Sequence, residues 1–325
     1  MIRSSSGSVL SALLVMFALQ YDALAQSAYP ARTIRIIVPT ASGGGNDMVA
    51  RLIAQGLSER LGRQVIAENR PGAGTIIGTE LVAKSPPDGY TLLMAPAAFV
   101  TVPLTNKKAP YDAVRDFAPI TQAASLPSLI VVHPSVPAKS VKEIIALAKA
   151  KPGQILFGSA GLGTQPHLSM ELFASMANIR MIHVPYKGSS PGLVDLLAGQ
   201  LAIMAANMPQ TIPYVRAGRL RALGVTTARR VAAAPEIPSI AESGLPGYES
   251  VQWFGLLAPA GTPREVIARL HKESIAILHM PENIARLAAD GADVTTSSPE
   301  EFAAFIQAEN AKWAKVVKAA GIQPE

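Results

Sequence analysis

Residues 34–51, IRIIVPTASGGGNDMVAR, change character twice within a short space. Ile34, Ile36, Ile37 and Val38 form a short apolar, β-branched run, the composition of a buried strand. Pro39 stops it. Thr40, Ala41, Ser42, Gly43, Gly44, Gly45, Asn46 and Asp47 then make a small-residue, glycine-rich loop. From Met48 the apolar positions Met48, Leu52, Ile53 and Leu57 share one helical face. Three consecutive glycines let the main chain approach another molecule closely. Asn46 or Asp47 is placed to cap the helix, and the free N–H groups of a first helical turn attract anions. The stretch predicts half of a site for a negatively charged small molecule, built from uncharged donors.

The same order recurs along the chain. Residues 64–68 read as a second strand, 69–74 as a turn-rich loop, 75–84 as a helix and 90–95 as a third strand. Pro96, Ala97 and Ala98 follow as another loop of small residues. Residues 117–124 and 128–133 are extended and apolar, and 140–150 is a helix with Ser140 and Glu143 at capping-box spacing. A strand over 155–159 runs into Ala160, Gly161, Leu162, Gly163 and Thr164, and His167 opens a helix to residue 177. Another strand, 181–184, runs into Pro185, Tyr186, Lys187 and Gly188. Beyond it come a helix to residue 197, a strand over 201–205, a helix over 209–217 and strands over 221–226 and 251–258. Helices over 263–279, 281–289 and 299–320 complete the chain, with Thr262 and Ser298 as caps. Such alternation predicts parallel sheets covered by helices. The loops after residues 38, 159 and 184 then belong to carboxyl ends of strands, the edge where ligands collect in open α/β sheets.

The first residues are read apart from the fold. Arg3, the apolar run 9–19 and the A-x-A site Ala23-Leu24-Ala25 describe a cleavable export signal, with Gln26 first in the mature chain. The run is too short to span a bilayer comfortably. Taking 25 residues from 325 leaves 300, enough for two domains. There is no cysteine, so disulfides, thiolate metal sites, a cysteine nucleophile and a lipid-modified cysteine are all excluded. A protein free in the periplasm is expected. The net charge is +6, yet there is no dense Lys/Arg run, and aromatic residues, which stack bases, make up only 5% of the chain. That favours contact with anionic solutes over nucleic acid.

Other chemistries find little support in the spacing. Gly72, Gly74 and Gly78 give GxGxxxG rather than a dinucleotide fingerprint, and Asn69-Arg70-Pro71 separates them from the strand. The stretch Gly158-Ser159-Ala160-Gly161 resembles a nucleophile elbow, but Phe157 stands where G-x-S-x-G needs glycine. His183 and an acid such as Asp195 complete a triad only by selection. The five histidines are scattered, with no metal-ligand spacing on one helix face. His167 reads as an organiser of its loop or as a ligand group, and Lys187 as a carboxylate partner or an exposed loop lysine.

Taken together, the motifs resemble a known family. The matching pieces are Pro39 through Asp47, Glu68-Asn69-Arg70-Pro71-Gly72-Ala73-Gly74, and Gly158 through Thr164 with His167-Leu168. Val184-Pro185-Tyr186-Lys187-Gly188, Arg221-Ala222-Leu223, Pro238 through Gly244, and Trp253-Phe254-Gly255-Leu256 running to Pro263 complete the set. In this order, over nearly all of the mature chain, they are similar to the periplasmic substrate-binding proteins of tripartite tricarboxylate transporters, the Bug family. The resemblance implies a two-lobed, Venus-flytrap α/β fold, two sheets flanked by helices, with crossings near 120–126 and 248–254. Lobe 1 would be 26–126 plus 251–325, and lobe 2 would be 127–250.

It further implies that a ligand carboxylate is gripped between the 40–47 and 159–164 loops, partly through ordered water. The site residues expected are Thr40, Ala41, Ser42, Gly43, Gly44, Gly45, Asn46, Asp47, Ala97, Ser159, Ala160, Gly161, Gly163, Thr164, His167, Tyr186, Lys187 and Asn207. Two departures bear on the distal end of the ligand. Many members carry bulkier or proline-rich residues at Thr40-Ala41-Ser42, and some carry Asp in the position of Ala206, which argues against an amino-acid ligand here. The expected function is capture of a small organic anion and delivery to a membrane permease by a monomer, with no catalytic residue, cofactor or metal. Its rivals are an exported hydrolase using Ser159 and a ligand-presenting accessory of a sensor kinase.

Overall fold

The structure is a computed structural model that describes residues 29–186, 188–289 and 291–322. The expected signal segment and Lys187 lie outside the described residues. The strands form two sheets. The first contains β1 (Ile34–Val38), β2 (Val65–Asn69), β3 (Thr91–Pro96), β4 (Phe117–Leu126), β10 (Gln252–Pro259) and β11 (Asp293–Val294), in the order β11-β4-β10-β3-β1-β2. The second contains β5 (Ser128–Val132), β6 (Leu156–Ser159), β7 (Ile182–Pro185), β8 (Ile203–Asn207) and β9 (Arg221–Val225), in the order β7-β6-β8-β5-β9.

Both sheets are mixed rather than purely parallel. The strands that open the glycine loops are parallel to their neighbours: β1 to β2 and β3, and β6 to β7 and β8. The antiparallel members are β5 and β10, which lie on the path between sheets, and the short edge strand β11. The chain leaves the first sheet on β4, turns through Pro127 straight into β5, and returns on β10, which pairs antiparallel with β4. One strand running out and one running back must oppose each other in direction, whatever the βαβ pattern on either side dictates.

Ten helices are described: α1 (Gly45–Leu61), α2 (Ile76–Ala83), α3 (Ala98–Thr105), α4 (Val141–Ala150), α5 (Gln165–Ala177), α6 (Ser189–Leu197), α7 (Met208–Arg216), α8 (Arg264–Leu278), α9 (Pro281–Ala289) and α10 (Pro299–Ala319). Several starts differ from the expectation. α1 begins at Gly45 and is capped by the backbone of Gly44, not by the side chain of Asn46 or Asp47. α8 is capped at Pro263, and the Thr262 hydroxyl instead donates to the Pro259 carbonyl. Ser140 accepts from the Glu143 amide, but Glu143 reaches back to Lys139, one residue before the cap. Ser298 and Glu301 form the complete reciprocal box. α3 occupies a segment with only a loop signature after Pro96. Burial of Phe99, Val100 and Thr101 sustains it despite Pro103, so packing overrides a weak local preference.

One hydrophobic core runs across the two sheets. Trp253 of β10 is fully buried and meets Phe302 and Phe305 of α10 edge-on, with ring centroids 5.6 and 5.5 Å away. α10 packs on α3, beside the first sheet, and on α5, beside the second. It therefore holds both halves from one side while the crossing strands connect them. Gly255 allows the fit, because a Cβ there would lie 2.2 Å from the Phe302 ring. Gly255→Ala forces that ring aside. The expected loss is about 1–3 kcal/mol of unfolding free energy, read from urea denaturation, and an unchanged midpoint would contradict this packing.

Candidate ligand-binding site

Residues 39–45 leave the carboxyl end of β1 and become α1. Gly43 adopts φ +86° and donates its N–H to Asp47 Oδ2 at 3.0 Å. The next amides, of Gly44, Gly45 and Asn46, open the helix and have no acceptor within it. A Cβ on Gly44 would meet nothing within 4 Å, so this face of the turn is open. A Cβ on Gly45 would lie 3.1 Å from the Phe254 ring, which closes the inner side.

Asp47 is buried, and both carboxylate oxygens are occupied. Oδ2 accepts from Gly43 and from Arg51 Nε at 3.0 Å, and Oδ1 from Asn69 Nδ2 at 2.9 Å. Burial alone would raise its pKa, but the hydrogen bonds from Arg51, Gly43 and Asn69 outweigh burial and hold the carboxyl below its usual range. Asn69 also donates to the Thr40 carbonyl at 3.1 Å and accepts from Arg51 at 2.8 Å. Asp47 therefore shapes the turn through bonds to the protein. Asn69, at the end of β2, is a site-building residue missing from the expected set, and its signal was its position beside β1. Asn46 is buried and donates to the Met94 carbonyl at 3.0 Å; its Oδ1 has no protein partner. Thr40 is half-buried, and Ala41 and Ser42 are exposed.

The second loop follows β6. Ser159 is fully buried, and its hydroxyl accepts from the Gly161 amide at 3.1 Å and lies 2.6 Å from His183 Nε2. Thr164 donates to the Gly161 carbonyl at 2.7 Å, and His167 Nδ1 accepts from the Gly163 amide at 3.1 Å. His167 and His183 stack with centroids 3.9 Å apart. Burial, then the neighbouring His167, pushes His183 from 6.5 down to about 4. The loop is stitched to its neighbour by Tyr186 N–H to Ser159 O and Gly188 N–H to Ala160 O, both 3.1 Å. The Tyr186 hydroxyl donates to Asp195 at 2.6 Å; burial and that carboxylate push it up to about 12.

This loop abuts the first sheet's helices. Gly163 has φ +72°, and a Cβ there would stand 2.7 Å from the hydroxyl of Thr105 at the end of α3. Ala97, fully buried, is the N-cap of α3 at the carboxyl end of β3. Both parallel edges thus meet along one seam.

A cavity of about 470 Å³ opens in the seam, lined by Gly43, Gly44, Gly45 and Met48 on one side and Asn207, Pro209 and Gln210 on the other. Leu126, Phe254 and Ala292 complete its wall. Among the described residues no lining side chain is charged. The first turns of α1 and α7 both border it, so two helix N-termini from different sheets face the same space. Of the expected site residues, this cavity gathers Gly43, Gly44, Gly45 and Asn207, whereas Thr40, Ala41, Ser42, Asn46, Asp47, Ala97, Ser159, Ala160, Gly161, Gly163, Thr164, His167 and Tyr186 lie outside its lining. Met48, Leu126, Pro209, Gln210, Phe254 and Ala292 were not in the expected set. Met48 was legible from its place one turn into α1; Leu126 and Phe254 are brought in by the crossing strands, Pro209 and Gln210 by the first turn of α7, and Ala292 by the approach to β11. Ser125 and Trp253, each adjacent in sequence to a lining residue, face a separate cavity behind the same strands.

The profile of the tripartite tricarboxylate transporter family receptor matches residues 49–322. Protein BugT of Bordetella pertussis is 38% identical over 295 residues, covering 90% of this chain and 90% of its own. Among solved structures, R. palustris Rpa4515 with adipate is 39% identical with a TM-score of 0.77, covering 91% of this chain and 100% of its own. MatC from Rhodopseudomonas palustris with bound malate is 30% identical with a TM-score of 0.73, covering 89% and 100%.

The half-buried His183 carries a pH signature. Between pH 6.5 and about 4 the unfolded chain protonates this imidazole while the folded chain does not. The unfolded state binds more protons there, so acidification through that window destabilises the fold. His183→Gln removes this share of the loss. Urea midpoints measured across the window should fall less steeply for the variant than for the parent; parallel curves would contradict the burial of a neutral imidazole.

Proposed function

The chain belongs to the tripartite tricarboxylate transporter receptor family, and on that premise we propose that it is a periplasmic solute-binding protein. It captures a small carboxylate between two lobes and delivers it to the membrane permease of such a transporter. The relatives with adipate and malate support a carboxylate as the ligand. The observation that carries the reading is the convergence of two helix N-termini on one cavity whose described lining holds no acidic side chain. The free amides of Gly44, Gly45 and Asn46 at the α1 end replace the hydration shell of a carboxylate, which is costly to bury unpaired; at the α7 end the Met208 amide is already given to the Pro127 carbonyl and Pro209 has none. We take the lobes as 26–126 plus 251–325 and 127–250, hinged on β4 and β10. Opening and closing are then rigid-body motions of the two sheets, with the 159–164 loop closing on the ligand as its lobe swings in.

The export signal, with cleavage before Gln26, supports the periplasm as the compartment, and no helix among the described residues is long and apolar enough to cross a membrane. The short Ser159–His183 contact is the feature that suits a hydrolase, but the hydroxyl is buried and bonded to its own loop. Among the described residues no carboxylate hydrogen-bonds to His183. That arrangement supports a loop-building role for the pair and a protein without a catalytic residue.

Gly44→Leu tests the site. The backbone at Gly44 (φ −88°, ψ 170°) accepts any residue, and the new side chain projects into open space. A bound carboxylate at about 100 times its dissociation constant stabilises the native state by roughly 2.7 kcal/mol. Across a panel of carboxylates, at least one should raise the melting temperature of the parent by several degrees and leave Gly44→Leu unmoved. An equal rise in both proteins would remove the turn from the site.

A further inference from the structure

We propose that the cavity takes a carboxylic acid whose body next to the bound carboxylate is apolar, an aliphatic chain or an aromatic ring, and discriminates against compact hydroxy acids. The inference rests on the carboxylate-capture reading above and names the ligand class of that same site.

The argument starts from what stands beside the glycine turn. Phe254 lies at 3.1 Å and Leu126 at 3.9 Å from the position of a Cβ on Gly45. Met48 follows Gly44 by one helical turn and borders the same space, and Ala292 closes it. A carboxylate held on the Gly44, Gly45 and Asn46 amides therefore places its next atoms against carbon. A methylene chain or ring gains contact and loses water there. A hydroxyl or second carboxylate on the adjacent carbons loses its water and finds no partner on that wall.

Polar side chains enter the lining only on the far side, as the amides of Asn207 and Gln210. Asn207 Oδ1 accepts from Ser128 at 3.4 Å, and among the described residues nothing accepts from its Nδ2 or pairs with the Gln210 amide. These two groups suit one remote polar end, such as the second carboxylate of a long diacid. They are too few to serve a cluster of hydroxyl and carboxylate groups. Arg51, the basic side chain next to the turn, is occupied by Asp47 and Asn69.

Calorimetric titration of the purified protein with adipate, 3-phenylpropionate, malate and citrate tests this. One of the first two should bind at least about tenfold tighter than either hydroxy acid, the scale on which apolar pockets discriminate. Met48→Gln, a substitution of similar length at a half-buried helix position, should narrow that ratio by weakening the apolar-bodied acid. Malate or citrate binding as tightly or tighter overturns the inference and leaves carboxylate capture standing. A ratio unmoved in Met48→Gln overturns the assignment of this wall. No binding of any of the four overturns the capture reading, and the inference with it.

Discussion

A buried carboxylate holds the glycine turn after β1 in shape, and its bonds organise that end of the sheet. Asp47 sits in the first turn of α1, where negative charge favours the helix dipole but would also repel an anion. The protein cancels the repulsion locally. Arg51 supplies the countercharge, Gly43 an amide and Asn69 a side-chain donor, so both oxygens are saturated from within. What remains open is the set of neutral amides at Gly44, Gly45 and Asn46. Asn69 extends the arrangement to the end of β2 by gripping the Thr40 carbonyl as well. The glycines are free to approach a ligand because a neighbouring network, and not the ligand, fixes their conformation.

The second half follows the same logic with different groups. Ser159, Thr164 and His167 each spend a polar atom on Gly161 or Gly163. His183 backs Ser159 and stacks on His167, which keeps one wall of the loop flat. The loop's tip then rests on Thr105. In both halves, side chains that look like ligand groups in the sequence serve as scaffolding for main-chain donors.

The crossing strands give the molecule its asymmetry. Because side chains alternate across a strand, Leu126 and Phe254 face the ligand cavity while Ser125 and Trp253 face the cavity behind. Trp253 is pinned there by the aromatic residues of α10 and leaves its Nε1 without a protein partner. The pivot of any lobe motion thus lies in the one core that both sheets share.

Much of this was legible in the chain itself. The β-branched runs, glycine loops and helical periods give the order of nearly every element, because those signals depend on residues close together in sequence. Ser298 and Glu301 announce their capping box for the same reason. The tripeptide at Gly43, Gly44 and Gly45 marks the turn, since only a residue without a Cβ combines such freedom with close approach. Other features depend on partners far away in the chain, and only the folded structure decided them. α3 exists because Phe99 and Val100 are buried, although its sequence reads as a loop. The antiparallel strands β5 and β10 arise from the path between sheets, and the apolar wall comes from where the two crossings bring Leu126 and Phe254 and the approach to β11 brings Ala292. Local chemistry specified the turn that faces an anion; long-range packing decided what stands opposite it, because a cavity wall is assembled from segments that no short window of sequence contains.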